Sequence, residues 1–122
     1  LRTGMLMANL VDFDMLYGHR NDPKGFADAL EYFDAQLGSI LDTLREDDLL
    51  LITADHGNDP TTPSTDHSRE YVPVLCYSKS GEAGVNLGTR KSFADAGKTV
   101  AAYFNIDESG ILAGESFLEM IY

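Results

Sequence analysis

Cysteine, basic residues and long apolar runs are all scarce in this sequence. Cys76 is the sole cysteine, so no disulfide can form within the chain. It lies in the apolar run Val72–Tyr77, which favours a buried structural thiol over a reactive one. No apolar run approaches the roughly 20 residues that a membrane-spanning helix needs. The N-terminus also lacks the basic, apolar and small-residue pattern of a signal peptide. These absences predict a protein without a membrane partner.

Basic residues are also scarce in this sequence. Nine Lys and Arg residues stand against 20 Asp and Glu residues, which gives a formal net charge of −11. Nucleic acid is therefore a poor partner, because duplex binding depends on clustered cations. The acidity has two interpretations: solubility of a cytoplasmic protein, which accounts for most of the charge, or convergence of some carboxylates on metal ions. Only the positions of the carboxylates can decide between them.

The first half of the chain predicts a strand, a helix and a second strand. With 122 residues, 43% of them hydrophobic, the chain is long enough for one domain with a modest core. Met5–Phe13 is typical of a buried strand. A helix start at Asn21-Asp22-Pro23 and an apolar stripe at helical spacing predict a helix to about Arg45. A second buried strand follows at Leu49–Ala54. This order predicts a βαβ unit with a parallel pair of strands.

The second half predicts a third strand at Tyr71–Tyr77 and a helix whose N-terminal cap is Ser92–Asp95 and which runs to about Phe104. The tail, Phe117–Tyr122, is too short to assign. The predicted fold class is α/β, with a partly parallel sheet flanked by helices. The chain opens on Leu1 rather than Met, within a strand-like segment, so we expect it to begin inside a longer protein.

The three histidines all lie in polar segments at strand ends or in the loop between strands, where open α/β sheets bind ligands. Each has a nearby aspartate, and the pairs are His19 with Asp14, His56 with Asp55, and His67 with Asp66. Mixed imidazole and carboxylate ligands suit Zn²⁺, Mn²⁺ or Fe²⁺. Five such groups could hold two ions, and paired ions serve phosphoryl chemistry.

Some neighbouring polar residues have simpler interpretations. Asp12 is a hydrogen-bonded residue at a strand end or a site residue, and Asp66 is a loop-capping side chain or a site residue. Arg20 can form an exposed pair with Asp22. Asn58 begins a turn-rich string that is typical of many surface loops. Composition and spacing leave these alternatives open.

Several motifs resemble known enzymes. The segment Thr53–Asn58 (TADHGN) resembles the metal-binding signature of alkaline phosphatase relatives, including cofactor-independent phosphoglycerate mutases. The continuation Asp59–Pro73 (DPTTPSTDHSREYVP) is more specific. Together with Asn9–Asp14 (NLVDFD) and Tyr17–Arg20 (YGHR), it resembles phosphopentomutases, which interconvert ribose 1-phosphate and ribose 5-phosphate and the deoxyribose pair. The resemblance covers nearly the whole chain.

The resemblance implies that residues 1–122 are the C-terminal segment of an alkaline-phosphatase-like, metal-binding core domain. It implies that Asp14, His19 and His67 ligate one ion and that Asp55 and His56 ligate part of a second. The two ions are typically manganese. A further aspartate ligand, a threonine nucleophile that is phosphorylated, and a cap domain that binds the pentose phosphate would precede this segment. The chain alone is therefore expected to be inactive. The alternatives are a metal-dependent phosphatase or phosphoglycerate mutase, or a non-catalytic metal-binding fragment.

Overall fold

The computed structural model describes residues 3–107 and 110–122, and it divides into two compact units. The first unit combines Leu1–Thr43 with His56–Val72, and the second combines Leu44–Asp55 with Pro73–Tyr122. Each unit therefore joins two stretches that are distant in sequence. All three histidines belong to the first unit.

The first unit is organised by helix α1, Pro23–Thr43. Its start follows the predicted signal: the Asp22 carboxylate accepts a hydrogen bond from the Gly25 amide at 2.9 Å, and Pro23 occupies the first helical position. A short π-helix, Phe13–Gly18, precedes it. The two helices contact each other, with the Phe13 and Phe26 rings packed edge to face at 5.6 Å.

The apolar stripe of α1 is only partly covered. No residue of this helix is buried, and Leu30 is 50% exposed. The predicted helix is confirmed, but its stripe does not form a closed core in this chain. No helix in the part of the chain that the structure describes is long and apolar enough to cross a bilayer.

The strand predicted over Met5–Phe13 is absent. Residues 5–10 have no regular secondary structure, and Phe13 opens the π-helix instead. Leu6 and Met7 are more than four-fifths exposed, at 83% and 82%. A strand needs a neighbour to pair its backbone N–H and C=O groups. The described residues form one sheet, of two strands, and this segment does not pair with it. The predicted parallel βαβ pairing is therefore also absent here.

The second unit contains that sheet, formed by β1 (Leu50–Thr53) and β2 (Val74–Tyr77). Both strands were predicted at these positions. They pair antiparallel, with Leu50 opposite Tyr77 and Thr53 opposite Val74. Helix α2 (Ala94–Tyr103) is also confirmed, and the Ser92 hydroxyl accepts a hydrogen bond from the Ala94 amide. A 3₁₀ turn at Leu118–Met120 ends the chain.

A buried polar network connects α2 to the C-terminal segment within the second unit. Arg90 Nε donates to Asp95 Oδ2 at 2.8 Å, and the Glu115 amide donates to Asp95 Oδ1 at 2.9 Å. Thr99 is fully buried, and its hydroxyl accepts from the Phe117 amide at 3.0 Å. Phe117 is itself 1% exposed. Every buried polar atom named here is paired, as burial demands.

Candidate metal centre

Two local structures of the first unit bring the candidate ligands together. Asp14 lies in the π-helix and His19 directly after it, where the His19 amide donates to the Asp14 carbonyl at 2.9 Å. The loop that carries His67 is closed by an isolated antiparallel bridge between Gly57 and Ser68. The Ser68 amide donates to the Gly57 carbonyl at 3.0 Å, so His67 is held beside the start of its own loop.

Asp14, His19 and His67 form a compact group. The ligand atoms of the three side chains all lie within 4.8 Å of one another. His19 Nε2 is 3.3 Å from Asp14 Oδ2, and His67 Nε2 is 3.3 Å from Asp14 Oδ1. With metal–ligand bonds of about 2.0–2.2 Å, two atoms on one ion at a tetrahedral angle lie about 3.3 Å apart. The spacing of these atoms therefore fits a shared cation.

The hydrogen bonding of His19 also fits a cation. Its Nδ1 lies 2.5 Å from the Thr65 carbonyl oxygen. A carbonyl oxygen only accepts, so Nδ1 carries the proton and donates. In the neutral ring this leaves the lone pair on Nε2, which faces the Asp14 carboxylate. Two acceptors facing each other repel unless a metal ion or a proton lies between them, and a His that donates its other nitrogen to a carbonyl is the usual arrangement of a metal ligand.

Asp14 is held in its anionic form. Burial raises the pKa of its carboxyl, but the hydrogen bond from Asn58 and the attraction of His19, His67 and His56 in their protonated forms together lower it by more. The net pKa is below the ordinary value. The carboxylate, which is the form that binds a metal ion, is therefore the favoured state in this setting.

The two remaining predicted ligands have different positions. The His56 ring stacks on the His67 ring, with centroids 3.7 Å apart and planes inclined by 23°. His67 also contacts His19, at 4.8 Å between ring centroids. The structure therefore brings His56 to the edge of the group. Asp55 closes the Leu44–Asp55 stretch of the second unit, two residues after β1. That Asp55 and His56 ligate a second ion stays a prediction.

Asn58 contacts the group, although its sequence context indicated only a turn. Its Nδ2 donates to Asp14 Oδ1 at 2.6 Å. The one sequence signal available was its position two residues after His56, inside the TADHGN signature. The bond joins residues 44 positions apart, which local turn chemistry does not reveal.

The structure also bears on the alternative interpretations of the other polar residues near this group. Asp12 stands at the start of the π-helix without a capping hydrogen bond from its side chain, so its interpretation as a strand-end residue is wrong. Asp22 caps α1 rather than pairing with Arg20. The loop before His67 is capped by Asp59, whose Oδ1 accepts from the Thr61 amide at 2.8 Å. Asp66 is exposed, and its amide donates to the Ser64 hydroxyl.

Comparison with known proteins shows which family the chain resembles. A family model described as the metalloenzyme superfamily matches residues 1–108. The chain is 64% identical over 118 residues to a phosphopentomutase of Acetivibrio thermocellus, a match that covers 97% of this chain and 30% of that protein. It is 59% identical over 121 residues to a phosphopentomutase of Dictyoglomus turgidum, covering 99% and 30%. A phosphopentomutase of Desulfitobacterium hafniense is 60% identical over 117 residues, covering 96% and 30%. The chain thus spans about 30% of the length of the curated relatives it matches.

Proposed function

The chain belongs to the metalloenzyme superfamily, and on that premise we propose that it is a metal-binding segment of a phosphopentomutase. One observation carries the proposal. The resemblance to phosphopentomutases implies that Asp14, His19 and His67 ligate one ion, and their ligand atoms lie within 4.8 Å of one another. The relatives are named phosphopentomutases. The resemblance to that family implies a reaction in which a phosphoryl group moves between the 1- and 5-positions of ribose or deoxyribose.

The charges of the three ligands, Asp14, His19 and His67, suit a cation that must also attract phosphate. Asp14 contributes one negative charge, and two neutral imidazoles contribute none. A divalent ion in this set therefore keeps a net positive charge. In a chain with a formal charge of −11, that local charge is what would hold an anionic sugar phosphate. When bound, two ions, with manganese expected, would neutralise the phosphoryl oxygens and align the attacking and leaving oxygens.

The chain's own residues divide this work. Asp14, His19 and His67 hold one ion, and the Thr65 carbonyl fixes the His19 ring. Asp55 and His56 are expected to provide part of the second set, and His56 stacks on the His67 ring of the first set. Residues of this chain are not assigned as the nucleophile. The phosphorylated threonine, one more aspartate ligand and the cap over the sugar are expected in the longer protein, so this chain alone is inactive.

The exposed apolar surface is consistent with a longer parent. Leu6, Met7 and Tyr71 are 83%, 82% and 91% exposed. Apolar surface of this extent usually meets other protein. We expect the rest of the parent chain to cover Met5–Phe13 and the stripe of α1, and a partly parallel sheet of the alkaline-phosphatase type to form there. A cytoplasmic location remains an expectation from the sequence.

Asp14→Asn in the full-length parent tests the proposal. The change removes the negative charge but keeps the shape of the side chain and its Oδ1 acceptor. Asp34→Asn, the same change at an exposed position of α1, is the matched control. With Mn²⁺ present, the parent and the control should convert ribose 1-phosphate to ribose 5-phosphate, and Asp14→Asn should not. Calorimetric titration of the 122-residue chain with Mn²⁺ should show binding that Asp14→Asn abolishes.

Three results would each contradict part of the proposal. Release of inorganic phosphate by the parent, without formation of the isomeric sugar phosphate, would favour a metal-dependent phosphatase. Equal Mn²⁺ binding by the chain and by Asp14→Asn would show that the ion binds elsewhere. Turnover by the isolated chain at the rate of the parent would show that the nucleophile lies within these residues.

A further inference from the structure

We propose that Asn58 is a positioning residue for Asp14, and that Gly18 holds Asn58 in place by leaving room for its side chain. The inference rests on the proposed metal centre and adds two residues to it. Neither would bind the ion. Together they would fix the direction in which the Asp14 carboxylate presents its oxygens.

The hydrogen bond defines the direction. Asn58 Nδ2 donates to Asp14 Oδ1 at 2.6 Å, and a carboxylate only accepts, so the NH₂ end of the amide faces it. The other carboxylate oxygen, Oδ2, is the one that lies 3.3 Å from His19 Nε2. The Asn58 bond thus fixes the Oδ1 end of the carboxylate, and the group cannot rotate away from His19 without breaking that bond. Because the amide is neutral, it orients Asp14 without competing with the cation for its charge.

Gly18 makes this contact possible. A Cβ at position 18 would lie 2.4 Å from Asn58 Nδ2, 2.5 Å from Cγ and 2.9 Å from Oδ1. All three distances are shorter than real side chains allow, so the Asn58 amide occupies the space that a side chain at position 18 would need. Gly18 is buried and is not among the glycines with positive φ. A glycine is needed here because it leaves space for the Asn58 side chain, and not because the backbone adopts a conformation that favours glycine.

Residues that hydrogen-bond to a metal's ligands commonly change metal affinity by about 10–100-fold when they are replaced. Asn58→Ala removes the donor, and Asn58→Leu removes it while keeping a branched side chain of similar size. We expect both to weaken Mn²⁺ binding by about 10–100-fold. Gly18→Ala changes no polar atom, yet it should weaken binding in the same direction because it displaces the amide.

A double-mutant cycle separates this mechanism from a direct effect on the adjacent His19. The three atoms that a Cβ at position 18 would meet are all removed in Asn58→Ala. Gly18→Ala should therefore weaken Mn²⁺ binding in the wild-type background and add little in the Asn58→Ala background. Gly38→Ala in α1, where a Cβ would meet nothing within 4 Å, is the matched glycine control and should leave the affinity unchanged.

The experiment is calorimetric titration of the 122-residue chain and its variants with Mn²⁺, with the thermal midpoint of each metal-free variant measured alongside. Weaker binding at an unchanged midpoint, together with the non-additive cycle, supports positioning. Wild-type affinity in both Asn58 variants would overturn the inference while leaving the metal centre intact. An additive cycle would overturn the role of Gly18. Failure of the wild-type chain to bind Mn²⁺ would overturn the metal centre itself and this inference with it.

Discussion

Replacing Arg90 with methionine should destabilise the second unit, because it leaves a buried carboxylate without its cation. The Asp95 side chain is 5% exposed and that of Arg90 is 21% exposed, with 2.8 Å between Nε and Oδ2. Methionine keeps much of the apolar stem of arginine but has no donor. In the variant, Asp95 Oδ1 would still accept from the Glu115 amide, while Oδ2 would lose the Arg90 bond.

The loss of unfolding free energy in Arg90→Met can be estimated from the burial of this ion pair. Removing one partner of a buried ion pair typically costs about 3–5 kcal/mol of unfolding free energy. The lower end of that range applies, since Arg90 retains some exposure and Asp95 keeps one hydrogen bond. Lys91→Met is the control: it removes the same charge from the exposed neighbouring residue and should change stability by no more than about 0.5 kcal/mol.

The loss should also depend on pH. Burial raises the pKa of Asp95, but the Glu115 amide and the Arg90 guanidinium lower it by more, so that the folded pKa is below the ordinary 3.8. A depressed carboxyl pKa contributes stability above the unfolded value, and that contribution is lost as the pH falls through the folded value. The difference between wild type and Arg90→Met should therefore be full near neutral pH and shrink in acid below pH 3.8.

Urea unfolding followed by far-ultraviolet circular dichroism measures both effects. The wild-type chain, Arg90→Met and Lys91→Met would be compared at neutral pH and at several acid pH values. A loss of less than about 1 kcal/mol in Arg90→Met, or a loss equal to that of Lys91→Met, would refute the reasoning that Asp95 depends on this cation.

Three further outcomes are expected. His67→Ala removes one of the three converging ligands, so it should weaken Mn²⁺ binding by more than about 100-fold in calorimetric titration, beyond the usual effect of residues behind a ligand. Binding at wild-type strength would place the ion elsewhere. Gly57→Ala would bring a Cβ within 2.6 Å of the Ser68 carbonyl oxygen, so the loop bridge must open. We expect Gly57→Ala to lower the unfolding free energy by about 1–3 kcal/mol, which is visible as a lower thermal midpoint. An unchanged midpoint would show that the bridge can accommodate the added Cβ. Burial raises the pKa of the Cys76 thiol to about 11, so alkylation by iodoacetamide should be slow at neutral pH and accelerate up to about pH 11. A rate equal to that of a free thiol at neutral pH would contradict that burial.

Local signals predicted the elements that depend on local forces. The Asp22-Pro23 cap and the apolar stripe located α1, and the apolar runs around Leu50 and Val74 located β1 and β2. Hydrophobic periodicity does not state which strand pairs with which, or in which direction. The antiparallel pairing of β1 with β2 was therefore not foreseen. For the same reason Met5–Phe13, which has strand-like residues but no pairing partner here, was predicted as a strand.

In the candidate site, too, residue types could be predicted from the sequence, whereas contacts made only in the folded chain could not. The five predicted ligands came from the types and positions of the residues and from a family resemblance, and three of them converge in the structure. Asn58 was missed because an asparagine in a turn-rich string has an ordinary explanation, and its bond to Asp14 exists only in the folded chain. Gly18 was missed because the space it leaves open can be recognised only after Asn58 is placed.

The long sequence separation within the metal centre also bears on how the protein is made. His19 contacts the carbonyl of Thr65 across 46 residues, and Asn58 reaches Asp14 across 44. Closing loops of this length costs chain entropy before any contact repays it, and such contacts slow folding. During synthesis, Asp14 and His19 emerge well before His67, so the ion-binding geometry cannot form until the later loop is complete. A cation that binds only when these side chains are assembled would then shift the folding equilibrium toward the folded chain by mass action. A supply of metal would in this way add to the stability of the folded protein.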